Sequence, residues 1–182
     1  HLARVVTENN TESMREWKNK IISVVSEKRK TKAFENENCV WVENVDKAVS
    51  YLQETKGNIL ITTGGKELQK YTQLKDYQDR CYARVLSTKN SMTDAAKLGF
   101  EGRHLIAMQG PFSTEMNIAL LHYTEAAYLV TKESGKAGGF DEKIEAAQKT
   151  GTKLVIIQRP IENGLSVEQT ISYCMEKMYP FS

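Results

Sequence analysis

Proline is almost missing from this 182-residue chain, with three in all, and glycine stops at 11. A collagen-like, coiled-coil or disordered chain is excluded by that composition together with 26% charged residues. Cysteine is equally sparse. Cys39, Cys81 and Cys174 are odd in number and contain no C-x-x-C pair, which argues against a disulfide framework or a zinc site and leaves reduced, mostly buried thiols. No apolar run approaches the roughly 18 residues of a membrane span, and His1-Leu2-Ala3-Arg4 lacks the apolar core of a secretion signal. A cytoplasmic protein without a membrane partner is expected. An excess of one charge is absent too, since 25 Lys plus Arg face 23 Asp plus Glu for a net of +2. No nucleic-acid partner is expected, because backbone binding needs a positive stripe. The chain opens on His rather than Met, from which an incomplete chain is expected. What it does have is 40% apolar residues, enough for one compact domain and part of a second.

From Gly57 onward short unbroken apolar runs recur: Ile59-Leu60-Ile61, residues 82–86, Leu105-Ile106-Ala107-Met108, residues 126–130, and Leu154-Val155-Ile156-Ile157. Each has strand length. The segments between them carry helical spacing, and Val167, Ile171, Cys174, Met175 and Met178 mark one more buried helix face behind a Ser166–Gln169 capping box. Strand runs without alternation must be covered on both sides. The fold class predicted is therefore α/β, a Rossmann-like open and mainly parallel sheet with helices on both faces.

Residues 1–56 are less regular. Residues 4–17 suit a helix, 21–25 and Cys39-Val40-Trp41-Val42 suit strands, 26–38 read as a charged linker, and Val45, Ala48, Val49 and Leu52 mark a helix capped by Asn44. The division predicted is a remnant plus linker over 1–56 and a Rossmann-like domain over 57–182.

Ligands of an open parallel sheet lie beyond the carboxyl ends of its strands. Four such corners here are polar or glycine-rich: Thr62-Thr63-Gly64-Gly65-Lys66, Gln109-Gly110-Pro111-Phe112-Ser113, Thr131-Lys132-Glu133-Ser134-Gly135, and Gln158-Arg159-Pro160. Turns of this kind aim backbone N–H groups at a ligand, and Lys66, Lys132 and Arg159 add positive charge, so an anionic ligand is expected. Each corner also has a plain reading. Thr-Thr-Gly-Gly is an ordinary turn, Gly110-Pro111-Phe112 a stiff one, the cations solvated, and Gly138-Gly139 a structural loop.

Catalytic arrangements are thin. His104 stands at the amino end of a strand and His122 late in a helix, neither in a relay, and no G-x-S-x-G elbow, H-E-x-x-H motif or carboxylate cluster is present. The site predicted binds and orients a ligand, and leaves the hard chemistry to a redox cofactor.

The series Ile61-Thr62-Thr63-Gly64 with Lys66-Glu67-Leu68, Arg84-Val85-Leu86, Gln109-Gly110-Pro111-Phe112-Ser113 with Glu115 and Asn117, Thr131-Lys132-Glu133-Ser134-Gly135 with Gly138-Gly139 and Lys143, and Arg159-Pro160 resembles the precorrin-6A reductase family. The likeness covers nearly all of residues 57–178. It implies two Rossmann-type halves, with the N-terminal half mostly absent here: His1-Leu2-Ala3 followed by Val5-Val6-Thr7-Glu8-Asn9 looks like the tail of a His-Pro-aromatic-Ala block, with Leu2 in place of the proline. It also implies an enzyme of cobalamin biosynthesis that transfers hydride from NADPH or NADH to a double bond of precorrin-6A or cobalt-precorrin-6A, and a chain that as a fragment is inactive or binds weakly. On that resemblance Thr62, Thr63, Gly64 and Lys66 fall to the cofactor, while Gln109, Gly110, Pro111, Phe112, Ser113, Lys132, Ser134 and Arg159 fall to the tetrapyrrole. No metal ligand and no proton donor stand out. Two other readings keep the same pattern: a non-catalytic nucleotide- or metabolite-binding α/β module, and half of a sugar-nucleotide transferase.

Overall fold

Both faces of each central strand are apolar, and the chain uses both. In the computed structural model, which describes residues 38–134 and 138–159, six strands form one fully parallel sheet. They are β1 (Cys39–Val42), β2 (Asn58–Ile61), β3 (Cys81–Val85), β4 (Leu105–Ala107), β5 (Ala126–Lys132) and β6 (Lys153–Ile157), in the order β1-β6-β5-β2-β3-β4. Ile59, Ile61, Val130 and Val155 point into one core, while Leu60, Leu129, Leu154 and Ile156 point into the other. All eight are at most 1% exposed, and each buried side chain of this size stabilises the fold by about 1.5–3 kcal/mol.

Three segments cover the first face: α1 (Val45–Gln53), a 3₁₀ segment (Gly65–Gln73) and, beyond the short α2 (Tyr77–Arg80), the helix α3 (Lys89–Lys97). The second face lies under α4 (Thr114–Tyr123) and α5 (Phe140–Thr150). The α/β architecture with helices on both faces is thus the one predicted. Asn44 caps α1 as its position suggests, with Oδ1 accepting from the Lys47 N–H at 3.0 Å. β1 and α1 precede residue 57, yet β1 belongs to this sheet, pairing with β6 from Cys39↔Leu154 to Val42↔Ile157, and α1 packs on its first face.

Two local differences from expectation have physical causes. The turn after β2 opens onto a 3₁₀ segment rather than an α-helix, because Leu68, Tyr71 and Leu74 repeat every three residues and all three are buried. Beside β2, the β5 register slips by one between Asn58 and Ile59, which leaves Ala127 bulged. Gly57, at φ +101°, makes room for it, since a Cβ there would stand 2.8 Å from that of Ala127. The expected elements over 4–17, 21–25 and 167–178, most of the linker, and Gly135, Pro160 and Cys174 lie outside the described residues.

Candidate functional site

Because all six strands run the same way, every carboxyl end lies on one border. Six strands about 4.8 Å apart make that border roughly 24 Å long. The chain runs β2, β3, β4 in one direction across the sheet, then returns to set β5 and β6 on the other side of β2. From β2 it leaves over the first face, from β5 over the second. The two exits diverge between neighbouring strands, and that divergence opens a crevice at the β2/β5 carboxyl ends.

Thr62, Thr63 and Gly64 enter this crevice from β2. The Thr62 N–H and hydroxyl both donate to the Val130 carbonyl, at 2.9 and 2.8 Å, so this side chain is spent on joining β2 to β5. Thr63 Oγ1 stands 3.4 Å from the Tyr71 hydroxyl, whose pKa burial pushes up. Gly64 sits at φ +83°, and a Cβ on Gly64 or Gly65 would meet nothing within 4 Å. Backbone is thus open to a close-lying ligand. Lys66 beside it is exposed.

The β5 and β6 corners are tied to this one and to each other. Lys132 leaves β5 to pair with Glu67 of the 3₁₀ segment, so its charge is already partly answered within the protein. Arg159, after β6, donates from Nε to the Glu133 carbonyl at 2.9 Å and from its backbone N–H to the Glu133 carboxylate at 3.1 Å. The Ser134 hydroxyl is buried with no hydrogen-bond partner.

At the β4 corner Gln109, Pro111 and Ser113 are exposed, and the Gly110–Pro111 peptide is cis. Ser113 caps α4, with Oγ accepting from the Met116 N–H at 3.2 Å. The Phe112 ring lies under the Arg84 guanidinium, 4.0 Å from ring centroid to Cζ. A Cβ on Gly139 would come within 3.9 Å of the Phe112 carbonyl, which sets the β4 and β5 corners side by side.

Two residues absent from the predicted site join these corners. Arg84, near the end of β3, is 7% exposed and donates from Nη1 to Asn117 Oδ1 on α4 at 2.9 Å. Lys143 on α5 is 6% exposed and donates from Nζ to the Gly138 carbonyl at 2.8 Å. Burial brings the Arg84 pKa down to about 10; burial first, then repulsion from Arg84, brings Lys143 down to about 8, with Glu142 acting the other way. A signal for both was present. Arg84 interrupts an apolar strand, and Lys143 replaces an apolar residue on the inner side of α5, next to the buried Ile144. Four residues earlier Arg80 donates to the Leu52, Thr55 and Gly57 carbonyls and the Thr55 hydroxyl.

His104 is structural, its Nδ1 3.1 Å from the Cys81 carbonyl and its ring stacked on Tyr82 at 4.4 Å. Among the described residues no three His, Cys, Asp or Glu gather to hold a metal ion, and no helix is long and apolar enough to cross a membrane.

The family model for precorrin-6x reductase CbiJ/CobK matches residues 2–176. A cobalt-precorrin-6A reductase of Priestia megaterium is 38% identical over 146 residues, which cover 79% of this chain and 57% of that protein. One of Methanothermobacter thermautotrophicus is 45% identical over 85 residues, covering 47% and 28% respectively. The solved structure of a CobK precorrin-6A reductase superposes with a TM-score of 0.54 at 17% identity, over 81% of this chain and 59% of that one, and is a likeness of fold. The chain spans about half the length of the curated relatives it matches.

Proposed function

The chain belongs to the precorrin-6x reductase CbiJ/CobK family, and from that membership we propose that it serves hydride transfer from NADPH or NADH to a double bond of precorrin-6A or cobalt-precorrin-6A in cobalamin biosynthesis. The observation that carries the reading is the gathering of the Thr62–Lys66, Gln109–Ser113, Lys132–Ser134 and Arg159 corners on one sheet border, with the chain reversal between β2 and β5.

A nicotinamide nucleotide fits the β2 corner, where Gly64 and Gly65 leave open space for a phosphate against the backbone. Thr63, Gly64 and Lys66 would hold it there, and Thr62 would keep that corner fixed to β5. When bound, the nucleotide supplies the hydride. The protein's own share is orientation, since two reactants held in contact gain several kcal/mol over their encounter in water. Phe112 and Ser113 stiffen the β4 corner against which a flat macrocycle would rest. Gln109, Gly110, Lys132, Ser134 and Arg159 supply donors or positive charge for its carboxylate arms, and Pro111, which has no N–H, offers only apolar ring contact. Lys132 does so in competition with Glu67.

The test is titration of the chain with NADH and NADPH, each with and without hydrogenobyrinate as a tetrapyrrole probe, together with nucleotide oxidation in the presence of a precorrin-6A preparation. Nucleotide binding strengthened by the tetrapyrrole, with oxidation dependent on precorrin-6A, supports the reading. Nucleotide binding indifferent to any tetrapyrrole favours a non-catalytic module and overturns it.

A further inference from the structure

Arg84 and Lys143 are two buried cations brought together through Phe112, whose ring lies against Arg84 and whose carbonyl would stand 3.9 Å from a Cβ on Gly139, next to the Gly138 carbonyl that receives Lys143. Their charges repel, and among the described residues neither forms an ion pair. Their partners are the neutral Asn117 side chain and the Gly138 carbonyl. One carboxylate, that of Glu142, attracts Lys143 from the same helix, but its Oε2 is itself buried with no hydrogen-bond donor. The Ser134 hydroxyl, also unsatisfied, lies where a Cβ on Gly138 would strike it, so it adjoins the loop whose carbonyl receives Lys143. A buried charge without an opposite one is costly, and a core that needed only stability would place an apolar side chain at either position.

We propose that Arg84, Lys143 and Ser134 form an oxyanion-binding site at the carboxyl border, between the ends of β3 and β5 and the start of α5. Of the three nearby charges two are positive and one negative, a balance that a single carboxylate neutralises. A nucleotide phosphate offers the same chemistry. Arg84 is held by the Asn117 amide and the Phe112 ring, which leaves its remaining N–H donors for a two-oxygen acceptor. Identification of the anion as a substrate arm or a cofactor phosphate rests on the reductase reading; the site itself does not.

The experiment compares wild type with Arg84→Gln and Lys143→Gln in two arms. In the first, thermal unfolding of the unliganded chain is followed against glutarate and against inorganic pyrophosphate at matched ionic strength. Wild type is expected to gain stability from one of them, and each variant to lose most of that gain. Equal responses of wild type and both variants overturn the site whatever the protein's activity. In the second, affinities for hydrogenobyrinate and NADPH are measured. A loss of about tenfold or more confined to hydrogenobyrinate assigns a carboxylate arm; one confined to NADPH assigns a phosphate. Unchanged affinities in variants of a chain that binds both overturn the site and leave the reductase reading intact. A wild type that binds neither yet keeps its glutarate or pyrophosphate response overturns that reading and leaves the site standing.

Discussion

Arg84 Nη1 donates to Asn117 Oδ1 at 2.9 Å, and this bond carries the end of β3 onto the first turns of α4. Asn117 in turn donates from Nδ2 to the Ser113 carbonyl at 2.8 Å. One amide therefore fixes both a buried cation and the polar corner that follows β4. Asn117→Leu keeps the branched heavy-atom outline but leaves the guanidinium without its acceptor, and should cost about 2–3 kcal/mol, read as a lower urea midpoint at unchanged slope. A midpoint equal to wild type would mean that the bond does not hold Arg84.

Lys143 gives the unliganded chain a pH dependence of definite sign. Its folded pKa, about 8, lies below the 10.5 of an exposed lysine because of burial and then Arg84. The unfolded chain then binds more protons between those values, so the penalty is full below pH 8 and is relieved as pH rises toward 10.5. Measured against Lys143→Met, wild type should gain stability across that window, by about 3 kcal/mol at most. A constant difference between the two from pH 7 to 10.5 would show that Lys143 is not held at low pKa.

Gly64 tests backbone strain apart from crowding. At φ +83° and ψ 174° with open space around a Cβ, Gly64→Ala meets no neighbour and loses stability through its conformation alone, roughly 1–3 kcal/mol. Gly64→Asn should cost about as much, because this extended positive-φ conformation lies outside the left-handed helical well that asparagine tolerates. A clear advantage of Asn over Ala, read from urea midpoints, would contradict that conformation.

Lys132 and Glu67 predict opposite binding effects from one ion pair. The pair is partly exposed, so Glu67→Gln should change stability by no more than about 1 kcal/mol. The released lysine should bind an anion more tightly, and Lys132→Ala less tightly. Calorimetric titration with NADPH and hydrogenobyrinate checks both; a parallel loss in the two variants would place Glu67 itself among the binding groups.

The sheet was readable from sequence because its strands are buried on both faces and so escape alternation, as in Ile59-Leu60-Ile61 and Leu154-Val155-Ile156-Ile157. Order across the sheet was not readable. The return from β4 to a place beside β2 depends on long-range packing, and the crevice between β2 and β5 depends on that return. Glycines and threonines at strand ends announced the corners, since turn chemistry is local. Arg84 and Lys143 stand among the residues that carry the family resemblance, but a place in the site was not assigned to them, because it rests on burial and mutual repulsion, which follow only once β3, α4 and α5 are packed together. The spending of Thr62 on Val130 and of Lys132 on Glu67 is likewise a contact across the sheet that no spacing encodes.

The most direct measurement is a map of backbone amide shifts on titrating the isotopically labelled chain with NADPH and hydrogenobyrinate. Shifts should cluster at residues 62–66, 109–113 and 131–134 and around Arg84 and Lys143. Shifts gathered instead at the opposite border, around Asn58, Cys81, Leu105, Ala126 and Lys153, would contradict the account.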